Sequence, residues 1–242
     1  MKNAIHRFYP KAIKSSNFIK TTYEILRNDY QLELRSVLVA ESICSDDINS
    51  IQHPFKVRQT LGPFNLGGLS GYPFSGLTGM GAFAHHVPEK GAAAIFYAPH
   101  IGIGEEGIPG LILRVGQQQA SFCCGAVVKA LQGNERQDES SANDPIDYQQ
   151  QALQRLILKS SKRIQNSQNQ VTEAVEVIFE ASSEMIDLLI THTHFTGQYL
   201  FVIGAIMINR DLRSESYVEV RRFDCYNVHS QEKLESSLAK FF

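Results

Sequence analysis

The chain has 242 residues and a formal net charge of −2, with 43% hydrophobic and 20% charged residues. That apolar content excludes a disordered chain. The near-neutral balance, with Lys and Arg scattered, argues against a nucleic-acid binder, which needs a basic face to displace counterions.

Residues 1–35 read as an N-terminal helical segment, with apolar positions at helical spacing over 22–30. The rest, 36–242, reads as one α/β domain. Residues 36–40 (SVLVA) form a β-branched run typical of a buried strand, and the polar stretch 41–47 reads as a loop at its C-terminal end. A helix broken near Pro54 is expected over 48–61. Glycine is dense over 62–81, with aromatics interleaved, which predicts a long ordered loop forming a wall or lid. Residues 92–98 (AAAIFYA) give a second buried strand, 111–114 a short one, and 124–131 a helix. Residues 133–146 are polar and read as a surface connection. Two long helices are expected over 148–167 and 171–191, then strands over 199–208 and 217–225, and a short C-terminal helix over 231–241.

The most apolar stretch, 199–208, is about half the ~20 residues a membrane span requires, and the N-terminus has charge but no apolar h-region. The expectation is a cytoplasmic protein with no membrane association. The four cysteines, Cys44, Cys123, Cys124 and Cys225, form no CxxC pair. A chain of this length builds a core without disulfides, so each is a buried residue, a metal ligand or a nucleophile.

Two of the expected strands finish in a metal-binding residue, Cys44 after the first and His100 after the second. Ligands in open α/β sheets bind at the C-terminal strand ends. Cys124 lies at a predicted helix start, where the dipole favours a thiolate. Two sulfurs and an imidazole suit Zn²⁺ and leave a fourth position for water. On the residues alone, burial in the core stays the competing reading of each.

Other signals carry less. GIGEEG over 102–107 matches a dinucleotide fingerprint, but Glu105 and Glu106 would repel a pyrophosphate, and Pro109 and Gly110 interrupt any following helix. His192 and His194 form an HxH pair without the Asp-His continuation of binuclear hydrolases. Ser70 and Ser121 lack a GxSxG elbow. A thiol enzyme using Cys123 or Cys124 is a further option.

The stretch 67–88 (GGLSGYPFSGLTGMGAFAHHVP) resembles the limiting-CO2-inducible protein B/C family, relatives of the beta-carbonic anhydrases also called the theta class. The segments ICSDDIN (43–49), YAPHIG (97–102), CCGA (123–126) and IGAIMIN (203–209) fit the same family, so the resemblance runs from about 36 to 226. It implies a beta-carbonic-anhydrase-like α/β domain with a mainly parallel central sheet flanked by helices. It implies a zinc site of Cys44, His100 and Cys124, with Cys123 the adjacent alternative. It implies reversible hydration of CO2 to bicarbonate with zinc hydroxide as nucleophile, and a homodimer. Asp46 would accept a hydrogen bond from zinc-bound water or occupy the fourth zinc position. Beta-carbonic anhydrases pair this Asp with an Arg two residues later, whereas position 48 here is Ile. The cation is then expected from Lys56 or Arg58. Phe55, Tyr72 and Phe83 are the expected walls of the CO2 pocket, and His85 or His86 the expected proton relay. The Ile48 departure keeps open an alternative: a catalytically silent zinc protein that binds bicarbonate or a partner.

Overall fold

The computed structural model describes residues 4–52, 59–133, 145–212, 214–230, 232–235 and 238–242. In chain order it runs α1 (Ala4–Phe8), β1 (Ile13–Lys14), α2 (Ser15–Glu24), β2 (Val37–Ile43), α3 (Asp47–Gln52), β3 (Leu61–Asn65), α4 (Gly76–His85), β4 (Ala92–Ala98) and β5 (His100–Gly102). Then follow β6 (Leu111–Ile112), β7 (Ser121–Phe122), α5 (Gly125–Gln132), α6 (Tyr148–Lys159), α7 (Ser161–Gln165) and α8 (Gln170–Thr191). The chain closes with β8 (Tyr199–Asn209), β9 (Tyr217–Asn227), β10 (Lys233–Glu235) and a 3-10 turn (Leu238–Phe241).

The main sheet has the order β1-β9-β8-β4-β2-β3, with β5 also on β8 and β10 also on β9. β3, β2, β4 and β8 run parallel, while β9 returns antiparallel along β8. Every residue of β4 is buried, which explains its unbroken apolar run, because a strand covered on both faces need not alternate. Ala92, Ala94, Phe96 and Ala98 join Phe18 and Leu26 from the N-terminal helices in one core layer. Ala93, Ile95 and Tyr97 face the opposite layer, with Phe83 of α4 and Ile186 and Leu189 of α8. The side-chain period of two thus puts helices on both sides of the sheet. Among the described residues no helix is long and apolar enough to cross a membrane.

Three expectations change. The glycine-rich stretch is not one long loop: it holds strand β3 and the ten-residue helix α4, which contains Gly79 and Gly81. Among the described residues no atom lies within 4 Å of a Cβ built at Gly81, so its missing side chain costs propensity rather than packing. Where a broken helix over 48–61 was expected, a short helix ends at Gln52 and Leu61 already begins β3. The C-terminal helix expected over 231–241 is, among the described residues, a strand paired with β9 and a 3-10 turn. Phe96 is fully buried, and its ring lies tilted against that of Phe18 with centroids 5.5 Å apart. Phe96→Ala should lower the unfolding free energy by about 3–5 kcal/mol, read by urea denaturation.

Candidate metal centre

The parallel strands β2 and β4 are in register from Val37–Ala92 to Ile43–Ala98, so they end together. Cys44 follows β2 directly, and His100 lies two residues beyond β4, after Pro99. Cys124 is the N-cap residue of α5. The three converge: one ligand atom from each lies within 4.8 Å of the others, and all three residues are buried. The Cys44 and Cys124 sulfurs are 3.8 Å apart. Tetrahedral coordination with ~2.3 Å zinc–sulfur bonds would place two thiolates roughly 3.8 Å apart.

The loop after β3 closes over Cys44. Ser42 Oγ donates to the Gly71 carbonyl at 2.9 Å, and the Ser70 amide donates to Cys44 Sγ at 3.1 Å. Gly71 has φ +78, and a Cβ there would meet the Ala98 carbonyl oxygen at 2.7 Å, so glycine is required for this approach. Asn49 Nδ2 donates to the Cys44 carbonyl at 3.3 Å and ties the start of α3 to the same turn.

His100 is fully buried, and its Nδ1–H donates to Asn209 Oδ1 at 2.7 Å. That bond fixes the tautomer and leaves Nε2 to act as ligand. Nε2 is buried with no hydrogen-bond partner among the described residues. Such an orphan costs about 1–3 kcal/mol unless something satisfies it. The thiols share their protons unequally. Cys44 is pushed up by its hydrogen bond with Cys124 and then by burial. Cys124 is held well below an ordinary thiol by that same bond, with the His100 charge adding to it against burial. Burial opposes the His100 imidazolium, but the neighbouring Cys124, Cys123 and Cys44 charges outweigh it and the net direction is upward. A metal would displace these protons and satisfy Nε2, so the donor set fits a divalent ion of zinc type.

Cys123 belongs to a second, overlapping group with Asp46 and His100. Its sulfur lies 3.6 Å from His100 Nδ1, the nitrogen already engaged by Asn209. Cys123 packs with Ile48 and Ile112 in a small apolar cluster. Position 48 therefore serves packing, and the cation for Asp46 comes from a different element.

That cation is Arg114, two residues past β6. Its Nη1 and Nη2 donate to Asp46 Oδ1 and Oδ2, both at 2.7 Å, and Nη1 also reaches Asp47 at 2.8 Å. Both partners are largely buried, at 16% and 14% exposure. Burial opposes the Asp46 charge, but the Arg114 fork outweighs it and holds the carboxyl down at about 2. Asp211 keeps the guanidinium in place by accepting from the Leu113 amide at 2.7 Å. The same carboxylate lies against Gly104, where a dinucleotide phosphate would have to sit.

The other expected site residues divide. Lys56, Arg58 and Phe55 lie outside the described residues, but the Asp46 carboxylate already has its fork from Arg114. Tyr72 packs against the cluster that contains Cys44 and Cys124, with its ring 5.0 Å from that of Phe74. Phe83 is not beside the site: it is fully buried among Phe64, Met80 and Phe195 under α4. His85 and His86 are also elsewhere. From Ser75, whose amide reaches the Leu66 carbonyl just past β3, α4 runs back to the rim where β4 and β8 begin. There Thr196 just before β8 bonds the Ala84 and Val87 carbonyls. Both histidines thus sit toward the opposite end of the strands from Cys44, the His86 ring 6.4 Å from that of Phe64 in β3, and His86 Nδ1 bonds the Ala82 carbonyl of its own helix at 2.5 Å. The HxH pair closes α8, with His192 Nδ1 bonded to the Leu188 carbonyl at 2.9 Å.

An α/β domain with a cysteine and a histidine at its strand ends and a second cysteine at a helix start, beside a forked Asp–Arg pair, has the parts of a carbonic-anhydrase-like metal centre. Residues 12–227 match the family described as limiting CO2-inducible proteins B/C beta carbonic anhydrases, and the chain belongs to that family. The crystal structure of PtLCIB4, a homolog of the limiting CO2-inducible protein LCIB, is similar at a TM-score of 0.87 and 26% identity, covering 98% of this chain and 100% of that one. The crystal structure of LCIB itself shares the fold at a TM-score of 0.72 and 17% identity, covering 97% and 99%. No curated protein matches the chain in sequence.

Arg114→Met would strip the largely buried Asp46 of its fork. The metal-free protein should lose about 2–3 kcal/mol of unfolding free energy at neutral pH, while Arg114→Lys should lose less, both read by urea denaturation.

Proposed function

We propose that this protein is a zinc-dependent carbonic anhydrase that interconverts CO2 and bicarbonate. The observation that carries the reading is the buried Cys44–His100–Cys124 group, with His100 Nε2 unpartnered among the described residues. Zinc bound there supplies hydroxide as a nucleophile at neutral pH, by lowering the pKa of water toward ~7.

The protein's own groups have distinct tasks. Asn209 holds the imidazole in the tautomer that presents Nε2. The Ser70 amide stabilises negative charge on Cys44 Sγ. Asp46 stays ionised because Arg114 engages both of its oxygens. An ionised carboxylate accepts but does not donate, so Asp46 can take a water O–H and turn that water's lone pair toward the substrate carbon. The apolar side of Tyr72, with Phe74 behind it, suits an uncharged CO2 molecule better than an ion.

Zinc-loaded protein should hold one metal per chain and catalyse ¹⁸O exchange between CO2 and water. Cys44→Ser should lose both. Asp46→Asn should keep the zinc while exchange falls on the order of 100-fold. Full loading with no exchange above buffer would reject the enzymatic reading. It would leave the alternative, a silent zinc protein binding bicarbonate or a partner. The proposal includes a cytoplasmic homodimer, so light scattering should give twice the 27.1 kDa chain mass; a monomer mass would contradict it.

A further inference from the structure

Ser70 is fully buried in the loop that closes over Cys44, and its amide touches the Cys44 sulfur. Its backbone has φ +57, in the left-handed region that glycine enters freely and other residues enter at a cost. Its hydroxyl is buried and has no hydrogen-bond partner among the described residues. Glycine, used nearby at Gly67, Gly68 and Gly71, would remove the strained side chain and the orphaned hydroxyl together. Serine keeps both. Strain and an unsatisfied polar atom on one residue, in contact with a ligating sulfur, point to a bound molecule that completes the hydroxyl's bonding.

We propose that Ser70 Oγ hydrogen-bonds an oxygen of the bicarbonate held at the Cys44–His100–Cys124 centre. Ser70 thereby selects an oxyanion over a simple halide. This inference rests on the metal-centre reading above. A hydroxyl both donates and accepts, so it can serve the protonated and the unprotonated oxygens of bicarbonate, whereas a halide only accepts, and the bond from a hydroxyl to a large, diffuse iodide is weak.

The test uses full-length protein loaded with cobalt(II), whose visible bands report on ligands at the metal independently of turnover. Wild type, Ser70→Gly and Ser70→Ala are titrated with sodium bicarbonate and, separately, with sodium iodide. Ser70→Gly relieves the backbone, so it provides a folded variant even if Ser70→Ala does not. Both variants should load cobalt with the thiolate absorption of wild type. Their apparent bicarbonate Kd should rise about tenfold, and their iodide Kd should stay within about twofold. Unchanged bicarbonate affinity, or equal weakening for both anions, would overturn the assignment of Ser70. Wild type without thiolate-to-cobalt absorption would overturn the metal-centre reading, and this inference with it. That failure is distinct because it precedes any anion titration.

Discussion

The structure is organised around an electrostatic problem: two sulfurs and an imidazole nitrogen packed together out of water. In isolation such a group is unfavourable, because buried thiolate and imidazolium charges lose their hydration and Nε2 has no partner among the described residues. The fold supplies what the protein alone can supply. Asn209 from the end of β8 takes one imidazole nitrogen, and the Ser70 amide takes one sulfur. The parallel register of β2 and β4 brings Cys44 and His100 to the same rim. What is left unsatisfied is the set of lone pairs that a tetrahedral cation would take.

A second constraint sits beside the first. Asp46 is tied to Arg114, which lies 68 residues away in sequence, while Ile48 packs into apolar surroundings with Ile112 and Cys123. The two arrangements support each other. Ile48 and Ile112 bring β6 against the turn after β2, and that contact places Arg114 within reach of Asp46. A guanidinium two residues past the Asp would have had to occupy the apolar space that now secures β6. The charge therefore comes from the neighbouring hairpin.

Much of this was legible in the sequence because it follows from local pattern. The doubly buried β4 shows as a continuous apolar run, and the strand-end position of Cys44 and His100 follows from it. The start of α5 at Cys124 is visible in the onset of helical periodicity. The parts that stayed hidden depend on contacts between distant segments. α4 was masked by Gly79 and Gly81, since helix propensity there is overridden by the packing of Met80, Phe83 and Ala84. β3 contains Gly62 and Pro63, which read as a turn. Phe83, His85 and His86 share a motif with the site-closing loop, yet α4 carries them to the opposite rim. The Arg114 partnership had one faint signal, a lone charge just beyond the apolar pair Leu111 and Ile112. Lys56 and Arg58 are nearer in sequence, and proximity along the chain is all that the sequence offers for choosing a partner of Asp46.

The central claim is that Cys44, Cys124 and His100 grip a single ion jointly. X-ray absorption at the zinc edge of the loaded protein tests this most directly. The account predicts two sulfur scatterers at ~2.3 Å with nitrogen or oxygen at ~2.0–2.1 Å. A first shell of nitrogen and oxygen only, with no sulfur, would contradict it.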